Sequence, residues 1–234
     1  MATLGGTSGT RNFNPSLGET TLYAFNLCGV RNTALTQEHM QTAQFAANIV
    51  LTDWAARPGV NLWEVVLVTV PLVQGTQTYS VSPNVVSILD GYVTQSNRST
   101  STDRYILPIS RTEYASYPNK TQQGFPTTYW YDKLLSPSIT FWPVPDGNEV
   151  SFSYYAVQSI QDANLANAQQ LDIQSYFLKA FVYALAHELA VIWAPEKEQL
   201  LDQKAEKAYQ TAAEQNVEDS NFYISPMMSG YWRI

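Results

Sequence analysis

Ala186-His187-Glu188-Leu189-Ala190 opens like the zinc-protease helix motif H-E-x-x-H, in which two histidines one turn apart bind metal and the glutamate activates water. The second histidine belongs at position 191, where the chain has Val191. The other histidine, His39, stands on a separate stretch. Three-ligand zinc chemistry is therefore unsupported, and His187 reads as a packed or hydrogen-bonded helix residue. Cys28 and His39 could form a nucleophile and base, but no recognised spacing joins them. Cys28 sits at an apolar helix end, where a buried small hydrophobe is the default. Asp90 with Glu113 or Asp132 would supply the carboxylate pair of a glycosidase, yet a chain with 20 acids makes such pairs by accident. No P-loop, nucleophile elbow or dinucleotide fingerprint occurs. No catalytic residue, metal ligand or cofactor is assigned.

Two other patterns concern surfaces. Glu198, Asp202, Glu206 and Glu214 follow a four-residue step on one helical stretch. Like charges at that spacing cost a few tenths of a kcal/mol per pair. They read as a solvated face beside Lys197, Lys204 and Lys207, or as an acidic wall that must not stick to something negative. The chain closes on SNFYISPMMSGYWRI, where Phe222, Tyr223, Ile224, Met227, Met228, Tyr231 and Trp232 follow no helical or strand period. Pro226 and Gly230 interrupt them. Such a segment either docks on a neighbour, with aromatic and thioether groups giving adaptable contact area, or folds back on its own domain.

The bulk composition limits the partners. Of 234 residues, 45 % are apolar, but charged residues make up only 14 % against a usual ~25 %. Fifteen tyrosines and many Ser, Thr, Asn and Gln fill the polar positions, which suits large protein contacts or a β-rich domain. A net charge of -7 without any Lys/Arg run argues against a phosphate-binding surface. The single cysteine fits synthesis in a reducing compartment, and the opening MATLGGTSGTRNFN has no apolar run of a signal peptide.

The elements that must position these residues read in the order α, α, β, α, α. Residues 1–15 form a flexible arm. Residues 16–58 hold two helices, the first with a Ser16/Glu19 capping box and a stop at Gly29, the second over Thr36–Arg57. Residues 61–160 form an inserted antiparallel sheet of about six strands, with a short helix near 111–117 begun by Ser110 and Glu113. Gln74-Gly75 and Asp146-Gly147 are its hairpin signals, and SNRSTST reads as a loop. Residues 172–217 form a helix hairpin, with Asp172 as the first cap and Pro195 starting the second helix. Residues 218–234 form an extended arm. The stretch around 173–194 is apolar on every side. A membrane span is improbable with charges and a histidine inside it, so neighbouring copies are expected to cover Phe177, Phe181, Ala184, Leu185 and Ala190. The fold class is α+β.

These landmarks stand in a familiar order: HMQTAQFAANIVLTDWAARPGVNLWEV, VPLVQGTQTYSVSPNVVSILDGYV, DRYILPISRTEYASYPNKTQQGFPTTYWYDK, PSITFWPVPDG, SYYAVQSIQDA and LAHELAVIWAPEKEQLLDQKAEKAYQ. Over about residues 15–234 the chain resembles the head-to-tail adaptor, or tail accessory factor, family of short-tailed bacteriophages. The stretch from Arg104 to Gly147 is the most specific. The resemblance implies a structural virion protein without catalysis, synthesised in the host cytoplasm and placed at the portal vertex. It implies a ring, commonly of twelve copies, that joins the portal to the next tail component (a nozzle or tail hub) and carries DNA through without specific binding. Fibre or spike proteins would be further partners, and no membrane is involved. The C-terminal arm, Pro226 included, would grip the portal, and the acidic row would face the channel. Two alternatives stay open: a tail-associated cell-wall hydrolase, and a receptor- or sugar-binding β module.

Overall fold

The computed structural model describes residues 9, 13–57, 64–97, 100–165 and 169–216. The arm at 218–234, with the portal-gripping residues expected there, lies outside the described residues, as does most of 1–15.

The terminal segments form one helical unit. Helix α1 (Leu17–Cys28) begins with the expected capping box, in which the Ser16 hydroxyl accepts the Glu19 N–H and the Glu19 carboxylate accepts the Ser16 N–H at 2.9 Å. It stops at Gly29, whose φ of 92° is left-handed. A Cβ there would lie 2.9 Å from Lys197 Nζ, which donates to the Leu27 carbonyl at 3.2 Å. That places a cation on the negative end of the helix. Helix α2 (Gln37–Ala56) starts with a box of its own, where the His39 ring replaces the usual glutamate: the Thr36 N–H donates to His39 Nδ1 at 3.3 Å. Helices α4 (Leu178–Trp193) and α5 (Glu198–Gln215) form the closing hairpin, with Pro195 in the turn between them.

Trp54 of α2 is the centre of this unit, with ring centroids 5.5 Å from Phe177, 6.1 Å from Phe181 and 5.4 Å from Tyr209. Each such fully buried side chain stabilises by roughly 1.5–3 kcal/mol. Phe177, Phe181, Leu185 and Ala190 have no exposed surface within this one chain, and Ala184 is half-buried. The expectation that neighbouring copies cover Phe177, Phe181, Leu185 and Ala190 is thus corrected, since α1, α2 and α5 of the same chain do so, while Val191 and Ile192 of α4 stay exposed. Ser175–Trp193 is long and apolar enough to span a membrane by length and composition, and here it is the core helix. Asp172 does not cap α4 either. A 3-10 turn at Ser175–Phe177 intervenes, and Asp172 accepts the Gln161 N–H at 3.1 Å.

Among the described residues the middle of the chain holds eight strands in two four-stranded sheets rather than one sheet of about six. They are β1 (Val65–Leu72), β2 (Thr78–Ser80), β3 (Val85–Asn97), β4 (Thr100–Tyr105), β5 (Leu107–Pro108), β6 (Thr128–Asp132), β7 (Ser138–Trp142) and β8 (Val150–Gln158). The sheet orders are β1-β8-β3-β4 and β2-β7-β6-β5, antiparallel except for β5 with β6. SNRSTST is not a free loop, since Ser96 and Asn97 pair with Ser101 and Thr100. Neither hairpin signal makes a hairpin. After Gln74-Gly75 and after Asp146-Gly147 the chain passes from one sheet to the other. The two crossings hold each other: Gly75 N–H donates to the Pro145 carbonyl at 2.9 Å, and Gln74 N–H to Asn148 Oδ1 at 2.8 Å.

Between the sheets sits a second core around Phe152, 5.0 Å from Phe141 and 5.3 Å from Tyr129. Gly91 lies at a register shift in β3, where a Cβ would come 2.6 Å from the Phe152 ring. Helix α3 (Arg111–Ser116) keeps only the Ser110 half of its expected box and ends before Pro118 as expected. Residues 159–165 then return to the helical core, where the Asn48 side chain accepts the Ala163 N–H at 2.8 Å and donates to its carbonyl at 3.0 Å.

Candidate functional site

The residues that could have carried chemistry are engaged elsewhere. His187 Nδ1 lies 3.7 Å from Glu188 Oε1 on the half-exposed side of α4. His39 stacks on Trp193 at 4.9 Å and caps α2. Cys28 donates to the Ala186 carbonyl at 3.3 Å, and burial pushes its thiol pKa up, away from the reactive thiolate. Asp90 on β3 accepts from Tyr105 Oη, Asp132 at the end of β6 accepts from Ser138 N and Oγ, and Glu113 stands on α3. The three carboxylates stand on three different elements. Among the described residues no three His, Cys, Asp or Glu side chains gather as a metal site.

Four aromatic side chains of the β region pack in pairs. Tyr114 stacks on Trp130 at 5.5 Å and Tyr117 on Trp142 at 4.1 Å. Gln77 Nε2 donates to Tyr114 Oη at 2.7 Å, and Trp142 Nε1 to the Asn119 carbonyl at 2.9 Å. These contacts fasten α3 to its sheet.

The distinctive surface is on the helical unit. Helix α5 lies on α4 along Leu201, Tyr209 and Ala212, and a groove opens on each flank. On one flank the groove between α4 and α5 is lined by Lys179, Lys204, Lys207, Tyr176 and Tyr183, with no carboxylate. Lys204 Nζ stands 5.8 Å above the Tyr183 ring. Tyr183 and Lys179 also border an apolar hollow of about 650 Å³ between α1 and α4, with Phe13 and Tyr23 on its wall. On the other flank, α2, α4 and α5 enclose a groove lined by Asp53, Glu188, Asp202 and Glu206. Arg57 crosses it, 3.0 Å from Asp53 and 3.3 Å from Glu206, with its guanidinium 4.2 Å above the Tyr209 ring. Exposed Ile49 lines the same groove.

The expected acidic row therefore divides. Asp202 and Glu206 face this groove with α2, whereas Glu198 and Glu214 are exposed outside it. The lysine groove escaped the sequence reading because Lys179 stands apart from Lys204 and Lys207 in the chain. A charge count by helical angle on both hairpin helices is the signal that would have found it.

The family model described as SU10 adaptor protein matches residues 31–229, most of the chain. The chain belongs to the SU10 adaptor protein family. As a member it is a phage structural adaptor, and the matched span runs from before α2 to beyond α5. No curated protein matches the chain.

Proposed function

We propose that this SU10-family adaptor forms the head-to-tail ring of a short-tailed phage, with twelve copies joining the portal to the next tail component and extending the DNA channel. The observation that supports this best is family membership over a fold with two separate cores. One helical unit carries charged flanks for packing copies together. One β unit is free to meet tail components such as a nozzle, hub, fibre or spike. The net charge of -7 favours passage of DNA without binding, and Glu198 and Glu214 remain as acids for the channel wall. In this reading the C-terminal arm grips the portal through Phe222, Tyr223, Tyr231 and Trp232, with Ile224, Pro226, Met227 and Met228 between them. Buried aromatic anchors of that kind contribute about 2 kcal/mol or more each.

Electron microscopy and mass measurement of the purified chain with portal rings test the reading. The expected result is a second ring stacked on the portal, lost when residues 220–234 are deleted from an otherwise folded protein. A chain that stays monomeric with portals present overturns the ring. Full portal binding by the truncated chain moves the grip elsewhere.

A further inference from the structure

The two flanks of α5 have opposite sign on one rigid frame. Three of the chain's six lysines line one groove, and among the described residues none of the three makes an ion pair. The other groove sets four carboxylates against the single guanidinium of Arg57. In a chain this poor in charge, such segregation is not a general solvated face. Each flank also carries apolar surface. Tyr23 is 55 % exposed beside the lysine flank, while Ile49, 45 % exposed, lines the carboxylate flank and Phe45, 70 % exposed, lies one turn before it on α2.

We propose that neighbouring copies meet head to tail through these flanks, the Lys179, Lys204 and Lys207 groove of one copy seated against the Asp53, Glu188, Asp202 and Glu206 groove of the next. This rests on the ring reading and names its contact. Like flanks repel, so a two-fold contact of one flank on itself is disfavoured. Opposite flanks of the same helix pair make a heterologous contact that repeats from copy to copy. Apolar side chains supply contact area, and the charges fix orientation and suppress wrong partners. Asp202 and Glu206 thereby belong to the subunit contact and not to the channel wall.

Charge reversal on the full chain tests this. One variant carries Lys204→Glu and Lys207→Glu, and the other carries Glu188→Lys and Asp202→Lys, which leaves the Arg57 pairs intact. Mass photometry and sedimentation over a concentration series read self-association, and circular dichroism confirms folding. Each variant alone is expected to associate at least about tenfold more weakly than the natural chain, since like charges then face each other. An equimolar mixture is expected to recover assembly, because every contact can again pair opposite signs. Variants that each assemble like the natural chain overturn this contact and leave the ring reading standing. A natural chain that does not self-associate alone or on portal rings overturns both.

Discussion

The helical unit and the β unit solve the same problem with different chemistry. The helical core is built around Trp54 from segments at both ends of the sequence, and its surface carries segregated charge. The β core is built around Phe152 from one continuous stretch, and its surface carries hydroxyl groups and stacked rings, with exposed Leu67, Leu89 and Tyr155 on one sheet. A charged flank orients a partner, whereas a neutral aromatic or aliphatic sheet face accepts partners with less regard to orientation. Two surfaces of such different character on one small chain suit the proposed ring, in which each copy would meet copies of itself and a tail component.

The sharpest way to break that division is to hollow out each core in turn. Trp54→Ala is expected to cost about 3–5 kcal/mol and to strip hydrogen-exchange protection from α1, α2, α4 and α5. Phe152→Ala should cost about as much but strip β3, β7 and β8 instead. Protection lost everywhere in both variants would mean one cooperative unit. Gly91→Ala refines the β side: its methyl would drive into the Phe152 ring, for an expected loss of about 1–3 kcal/mol in a thermal melt. A neutral result would mean that the ring can move aside. Ser16→Ala refines the helical side, with about 1 kcal/mol lost from the full capping box. Ser110→Ala, at a box only half made, should lose less in the same denaturant titration.

The smallest effect concerns the junction. Glu64, just before β1, is pushed up to about 7 by burial, by its hydrogen bond with Asp172 and by that residue's charge. The folded chain therefore holds this proton more tightly than the unfolded chain. The stabilisation is complete below the ordinary carboxyl range and is lost as pH rises through about 7. Stability should fall modestly between about pH 5 and pH 8, and Glu64→Gln should flatten the slope. An unchanged slope in that variant would remove Glu64 as the cause.

What could be read from the residues alone follows the range of the interactions. The Ser16 box and the Gly29 stop are set by neighbours three or four residues away, and both were legible. The strands were legible as segments, since their composition is local. Their partners were not. Gln74-Gly75 and Asp146-Gly147 look like hairpin turns, and the contact that makes them crossings is between them, some seventy residues apart. The cover on α4 failed for the same reason: Trp54 and Tyr209 are distant in the chain and adjacent in the core. Of the surface, the acids were visible as a row, but its division between groove and solvent depends on where α2 lies.

The separation of Trp54 from Phe177 also dictates a timetable during synthesis. At ribosomal rates, more than a hundred intervening residues take on the order of ten seconds to emerge. For that interval α1 and α2 have no α4 to cover their apolar stripe, and α5 with its two flanks does not yet exist. The unit that presents both signs of charge can close only after the last helix leaves the ribosome. In the proposed ring, a nascent chain therefore could not join its neighbours through these flanks early, and copies would enter assembly as finished subunits.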